Sequence, residues 1–294
     1  MSDVNQGVCT FMKNIQIISF ILLILLSACS ICTSAEETKI HVLDVGTGDA
    51  ILVESEGINT LIDAGPDRNT TAAYLTDHNI TDIHLFLVTS MEPGKIGGVL
   101  EVMNRTNVHE YRDTGTGQMY FNYKRILEKI QNESITYHSL KPGERIPIGT
   151  DTTIDVINIA QTHNGIGDEA ILNLHAGNVS MLLLSENGSP DIDTGMKIQI
   201  LRVPDHGSRQ AFDMGFVHMI KPEVAVISIG REGNGPNKAT EMGLEAAGAE
   251  VYRTDIRGTI LIATDGENYT IGSSRTSPAG SISLMSVIET QPPA

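Results

Sequence analysis

The chain has 294 residues, 40% of them apolar and 19% charged, enough for one large or two modest domains with a buried core. Its formal net charge is −16 with no cluster of Lys or Arg, and so acidic a chain repels a phosphate backbone; stable nucleic-acid binding is not expected. All three cysteines, Cys9, Cys29 and Cys32, lie near the start, so the remainder holds neither a disulfide nor a thiolate metal ligand.

Lys13 is followed by an apolar run, Ile15 to Leu26, and by the small residues Ser27-Ala28-Cys29-Ser30. A basic start, a short apolar core and a small-residue exit describe an export signal. Leu26-Ser27-Ala28-Cys29 also has the form of a lipoprotein box, in which Cys29 is lipidated after cleavage. Extended to Thr33, the same run approaches the length of an uncleaved anchor, and these readings stand side by side. Residues 1–37 are therefore a signal, lipoprotein or anchor segment with a short spacer, 38–273 the folded domain, and 274–294 a Ser/Pro-containing flexible tail. On this reading the domain is exported to the cell surface and meets the membrane only through its N-terminal segment. Seven Asn-x-Ser/Thr sequons, at Asn69, Asn79, Asn104, Asn132, Asn178, Asn187 and Asn268, fit surface glycosylation in an organism that performs it.

The folded part opens with three short strand patterns, Lys39–Leu43, Ala50–Val53 and Thr60–Ile62, with Gly57-Ile58-Asn59 as a turn. Asp44-Val45-Gly46-Thr47-Gly48-Asp49-Ala50 lies between the first two, its glycines suited to a tight polar turn. Leu61-Ile62-Asp63-Ala64-Gly65 closes the third, with Asp63 placed to close a turn. A helix over Thr70–His78 and an apolar strand, Ile83–Val88, lead into Thr89-Ser90-Met91-Glu92-Pro93-Gly94-Lys95-Ile96-Gly97-Gly98. A short polar loop between a buried strand and an amphipathic stretch, here Ile96–Met103, is a common place to hold functional groups.

Strand and helix patterns then alternate: strand Val108–Tyr111, helix Gln118–Gln131, and strands Ile135–His138, Glu144–Ile148, Thr153–Ile159, Ala170–Leu174 and Ser180–Leu184, the last two a hairpin turned at Ala176-Gly177-Asn178. Strand Ile198–Val203, a helix near Arg209–Ile220, strand Val224–Ile229, helix Ala239–Ala247 and strands Glu250–Tyr252, Thr259–Ala263 and Tyr269–Ile271 complete the series.

Periodicity by itself gives an α/β domain with many strands. The Asp44–Ala50 loop resembles the Asp-Val-Gly-Gln-Gly-Asp-Ala signature of the extracytoplasmic domain of ComEC-type DNA-uptake competence proteins and their secreted relatives. Asp44, Gly46, Gly48 and Asp49 carry the match, and Thr47 stands at the Gln position. The resemblance covers about Ile40 to Gly272 and implies a four-layer αββα sandwich of the metallo-β-lactamase-like class. It also implies an ancestral metal-dependent hydrolase, with a phosphodiester as the expected substrate class. In that family one or two zinc ions activate water between the sheets.

The family's metal-binding positions are mostly replaced. After Thr89, where His-x-His-x-Asp-His should stand before Ile-Gly-Gly, the residues are Ser90, Glu92, Gly94 and Lys95. Asp63 matches the carboxylate that orders the metal loop by hydrogen bonds. Leu-Leu-Thr-Gly-Asp becomes Leu182-Leu183-Leu184-Ser185-Glu186, which keeps a carboxylate on a longer arm. Lys-Val-x-His-His-Gly-Ser becomes Arg202-Val203-Pro204-Asp205-His206-Gly207-Ser208, which keeps one imidazole. A later substrate-facing histidine is missing from Asn234-Gly235-Pro236. Arg253-Thr254-Asp255 and Gly258-Thr259-Ile260 match as structural pieces.

Two functions follow from this residue set. In the first the domain has lost its metal and serves as a surface module that binds an unknown partner or small ligand. Lys95 then lies among Glu92, Glu186 and Asp205 and supplies the positive charge that metal once supplied. In the second it remains a hydrolase with a single divalent ion, Mn, Mg, Ca or Zn, on Glu92, Glu186 and His206, where carboxylate-rich ligation favours the harder cations. No Cys or Gly-x-Ser-x-Gly elbow supports metal-free nucleophilic catalysis. The remaining histidines show neither His-x-His nor His-x₃-His spacing and read as packing or surface residues.

Overall fold

The computed structural model describes residues 37–116, 121–161, 167–185, 197–209, 213–232 and 235–275, all within the unit Glu37–Ala294. Export, lipidation at Cys29 and the C-terminal tail from residue 276 concern residues outside this set, as do Glu186, Asn187 and Asn234. Among the described residues no helix is long and apolar enough to cross a membrane.

Two mixed sheets form the centre. The first has eight strands in the order β15 (Tyr269–Ser273), β14 (Ile260–Thr264), β1 (Thr38–Val42), β2 (Ile51–Ser55), β3 (Ile58–Ile62), β4 (Asp82–Leu87), β5 (Asn107–Asp113) and β6 (Thr136–Ser139). The second has seven: β13 (Glu250–Arg253), β12 (Val224–Ile227), β11 (Ile200–Arg202), β10 (Val179–Leu183), β9 (Glu169–Ala176), β8 (Thr152–Ala160) and β7 (Arg145–Pro147). Alternation along the strands sends every second side chain to each face. Ile40, Val42, Ile51 and Val53 from the first sheet meet Leu172, Leu174, Met181 and Val226 from the second in one inter-sheet core.

The outer faces are covered by helices. α1 (Thr70–Asp77), α3 (Val99–Arg105) and α4 (Phe121–Asn132) place Leu75, Val102 and Ile126 over Leu61, Phe86 and Tyr111 of the first sheet. α5 (Met214–Ile220) and α6 (Lys238–Ala246) place Val217 and Leu244 over Leu201 and Ile227 of the second. The result is the expected four-layer αββα sandwich.

Three local expectations are corrected. The stretch Ile96–Met103 is not one helix: α2 (Pro93–Ile96) stops at Gly97-Gly98 before α3 begins. A Cβ on Gly97 would sit 2.0 Å from the Pro66 carbonyl oxygen, and one on Gly98 2.4 Å from that of Ala64, so the chain packs backbone on backbone here. The β2–β3 turn is Glu56-Gly57 (φ 52° and 75°) and not Gly57-Ile58-Asn59, because Ser55 pairs with Ile58. Two left-handed residues match the twist of the flanking strands. A short helix that periodicity did not mark, α7 (Thr254–Arg257), follows β13.

Candidate functional site

Three loops, 44–50, 63–67 and 89–98, converge at one end of the inter-sheet core, and backbone hydrogen bonds fasten them. The Asp49 amide donates to the Gly94 carbonyl at 3.0 Å, Gly65 to Asp49 at 2.7 Å, and Ala64 to Lys95 at 2.7 Å. Gly48 has to be glycine, since a Cβ there would lie 2.3 Å from the Gly94 oxygen and 2.5 Å from Pro66 Cδ. The Asp44–Ala50 loop therefore acts as a brace. It presses the Asp49 carboxylate inward against the second sheet.

Asp63 adopts a left-handed backbone, φ 59°, and its two oxygens accept from the Thr89 amide at 2.8 Å and the Thr89 hydroxyl at 2.7 Å. This couples the end of β3 to the end of β4 and fixes the loop that follows. Ser90 is buried there, and its hydroxyl accepts the Glu92 amide at 3.4 Å. Glu92 is half-buried at the start of α2.

Lys95 points into the site. It is 3% exposed and its ammonium pairs with Glu169, which is 0% exposed at the start of β9. Glu169 is a partner the expected setting among Glu92, Glu186 and Asp205 did not include, and Glu186 lies outside the described residues. Glu169 had only a weak sequence signal, a carboxylate immediately before the apolar run Ala170–Leu174. A second buried pair lies beside the first. Arg202, at the end of β11, reaches both oxygens of Asp49 in a two-pronged contact, Nε to Oδ1 at 2.9 Å and the second nitrogen to Oδ2. Asp49 and Arg202 were each legible as motif positions, but their pairing was not.

Asp49, Asp63, Thr89, Lys95 and Arg202 line a cavity of ≈ 10 Å³, closed by Ile51, Ala170, Leu183 and Leu184. That is room for about one water. Burial acts most strongly on the Asp49 carboxyl and would raise it, but the Arg202 and Lys95 charges and the guanidinium hydrogen bonds outweigh burial and hold it below the usual carboxylate range. Asp63 goes the other way. Burial, opposed by Lys95 and reinforced by Asp49, pushes it up to about 7.

Asp205, His206 and Gly207 form a 3₁₀ turn after β11 with three successive left-handed residues, φ 45°, 50° and 75°. Two of them carry a Cβ, a conformation costing roughly 1–2 kcal/mol per residue. Asp205 accepts from the Ser208 hydroxyl, so it belongs to the turn. His206 Nδ1 lies 2.7 Å from the Ser228 carbonyl; it donates there, which directs the lone pair of Nε2 away from that contact.

The donor set does not suit a zinc centre. Lys95 and Arg202 place an ammonium and a guanidinium here, neither of which has a lone pair to give in that form, and Asp49 and Glu169 are paired with them. A dication 4 Å from either would meet about 8 kcal/mol of repulsion, twice the unit-charge value at an effective dielectric of 20. Among the described residues no group of three or more His, Cys, Asp or Glu is arranged to hold a metal ion. Asp63, raised to about 7, is a group whose charge varies near neutral pH.

No family model matches the sequence, and no curated protein does. Solved structures do match in fold. The metallo-β-lactamase fold protein YhfI from Bacillus subtilis aligns with a TM-score of 0.56 at 8% identity over 73% of this chain and 96% of its own. Igni18, a metallo hydrolase from the archaeon Ignicoccus hospitalis, aligns with a TM-score of 0.54 at 17% identity over 76% and 98%. Zn²⁺-bound PqqB from Methylobacterium extorquens aligns with a TM-score of 0.52 at 12% identity over 72% and 97%. At these identities the likeness is one of fold: the chain has the metallo-β-lactamase architecture.

Proposed function

We propose that this chain is an exported, metal-poor derivative of a competence-type hydrolase that serves as a binding or scaffolding module at the cell surface. The observation that carries this reading is the buried Lys95–Glu169 pair at the centre of the loop cluster. An ammonium at that place supplies positive charge to buried carboxylates, which a metal would otherwise supply, and it does so without creating a Lewis acid or an activated water. Among the described residues, those lining the cavity include no imidazole or thiol able to act as base or nucleophile. The ComEC-type ancestry rests on the Asp44–Ala50 loop, whose glycines and Asp49 brace the site.

The rival reading is a hydrolase with one divalent ion on Glu92, Glu186 and His206. One feature favours it: Nδ1 of His206 is fixed by a carbonyl, the arrangement that orients an imidazole for ligation through its other nitrogen. Elemental analysis of the full chain, purified in detergent without chelator, separates the two. Melting temperatures with Zn²⁺, Mn²⁺, Mg²⁺ and Ca²⁺ are then measured on wild type and His206→Ala. The proposal expects no stoichiometric metal and no thermal shift. About one metal per chain, lost on His206→Ala, would refute it and direct the work to phosphodiester substrates.

A further inference from the structure

Six of the seven sequons lie among the described residues, and all six asparagines are exposed. They do not present their second recognition element equally. A sequon is read through both its amide and the hydroxyl two residues on, so a transfer enzyme acting on folded protein needs both in reach.

At Asn69, Asn104 and Asn178 the hydroxyl is withdrawn. Thr71 is buried and donates to the Ala64 carbonyl at 2.7 Å; Thr106 is half-buried and donates to Val102 at 2.8 Å; Ser180 is buried and donates to Lys197 at 2.6 Å. The Asn104 and Asn178 amides are also engaged, with Glu101 at 3.4 Å and Glu267 at 2.9 Å. At Asn79 and Asn268 both ends are exposed, but the middle residue, Ile80 or Tyr269, is buried and pins the backbone.

Asn132-Glu133-Ser134 differs from all of these. Asn132 is the last residue of α4, and Ser134 leaves the helix in the left-handed conformation, φ 55°. All three residues are exposed, and among the described residues neither the Asn132 amide nor the Ser134 hydroxyl has a hydrogen-bonding partner. The only side-chain tie within the tripeptide is Glu133 with Lys129, one helical turn back and on the surface.

We propose that Asn132 is an N-glycosylation site that the folded domain presents, and that folding shuts the sites at Asn69, Asn104 and Asn178. The donor is a polyprenyl-phosphate-linked oligosaccharide. Asn132 Nδ2 bonds to the anomeric carbon, the anomeric C–O bond to phosphate breaks, the phosphate leaves with its electron pair, and the amide nitrogen gives up one proton. The setting rests on the exported reading; the chemistry of the site does not.

The test incubates the full folded chain in detergent micelles with an oligosaccharyltransferase and its lipid-linked oligosaccharide, beside a sample unfolded in denaturant and diluted into the reaction. Glycopeptides are then mapped by mass spectrometry. The expected result is occupancy at Asn132 in the folded chain, its loss in Asn132→Gln, and occupancy at Asn69, Asn104 and Asn178 only in the unfolded sample. An unmodified Asn132 in the folded chain overturns the proposal, as does equal modification of the three shielded asparagines. Glycan-free protein from its own cells, with Asn132 modified in vitro, would count against export and leave the site standing.

Discussion

Replacing Lys95 by methionine keeps most of the side-chain volume and removes the charge. Glu169, 0% exposed, then loses the ammonium it pairs with. Removing one partner of a buried pair costs about 3–5 kcal/mol, because a buried charge loses its counter-charge and gains no hydration in exchange. In a domain of this size each kcal/mol lowers the melting temperature by roughly 2–4 °C, so Lys95→Met should melt about 6–20 °C below wild type. Thermal and urea unfolding followed by circular dichroism give the two readouts. The double variant Lys95→Met/Glu169→Leu removes the buried carboxylate as well and should recover much of the loss, with a coupling of about 1–3 kcal/mol. If Lys95→Met melts within 1–2 °C of wild type, or if the two substitutions are simply additive, Lys95 does not substitute for a metal ion.

Asp63 gives the pH dependence. Its folded value, about 7, lies above the unfolded carboxylate value, so the native state holds the extra proton between them. The stabilisation this lends is fully present below about pH 4 and is lost as pH rises through 7, a few kcal/mol in all at 1.36 kcal/mol per unit. Lys95 and Asp49 are the charged groups that act on it, and Asp63→Asn should flatten the midpoint-versus-pH curve across that window. An unchanged slope between pH 5 and 8 would show that Asp63 is not its source. Arg202→Lys should also destabilise, by about 1–3 kcal/mol, because an ammonium cannot reproduce the two-pronged contact with Asp49; a wild-type urea midpoint would contradict this. Gly48→Ala drives a Cβ into the Gly94 carbonyl and the Pro66 ring and should cost about 1–3 kcal/mol, read from the same midpoint.

Much of the architecture was legible before any coordinates. Short continuous apolar runs such as Leu182–Leu184 and Ile260–Ile262 mark buried strands, and the Tyr123, Ile126, Leu127 and Ile130 spacing marks α4, because a helix buries one face at its own period. These patterns reach an α/β domain with many strands, and the four-layer sandwich is what the resemblance of the Asp44–Ala50 loop implies. That Ser90 and Lys95 are not imidazoles was equally plain, since residue identity is read directly from the sequence.

Pairing was not legible. Asp49 and Arg202 are 153 residues apart and Lys95 and Glu169 are 74, and no local period links such positions. Lys95 was expected among Glu92, Glu186 and Asp205 because the family frame gathers those positions. In the fold Asp205 turns to Ser208 while β9 brings Glu169 under α2. Identity along a chain decides which charges exist. Only the packing of two sheets decides which of them are taken out of water together, because burial is set by contacts between positions far apart in the chain.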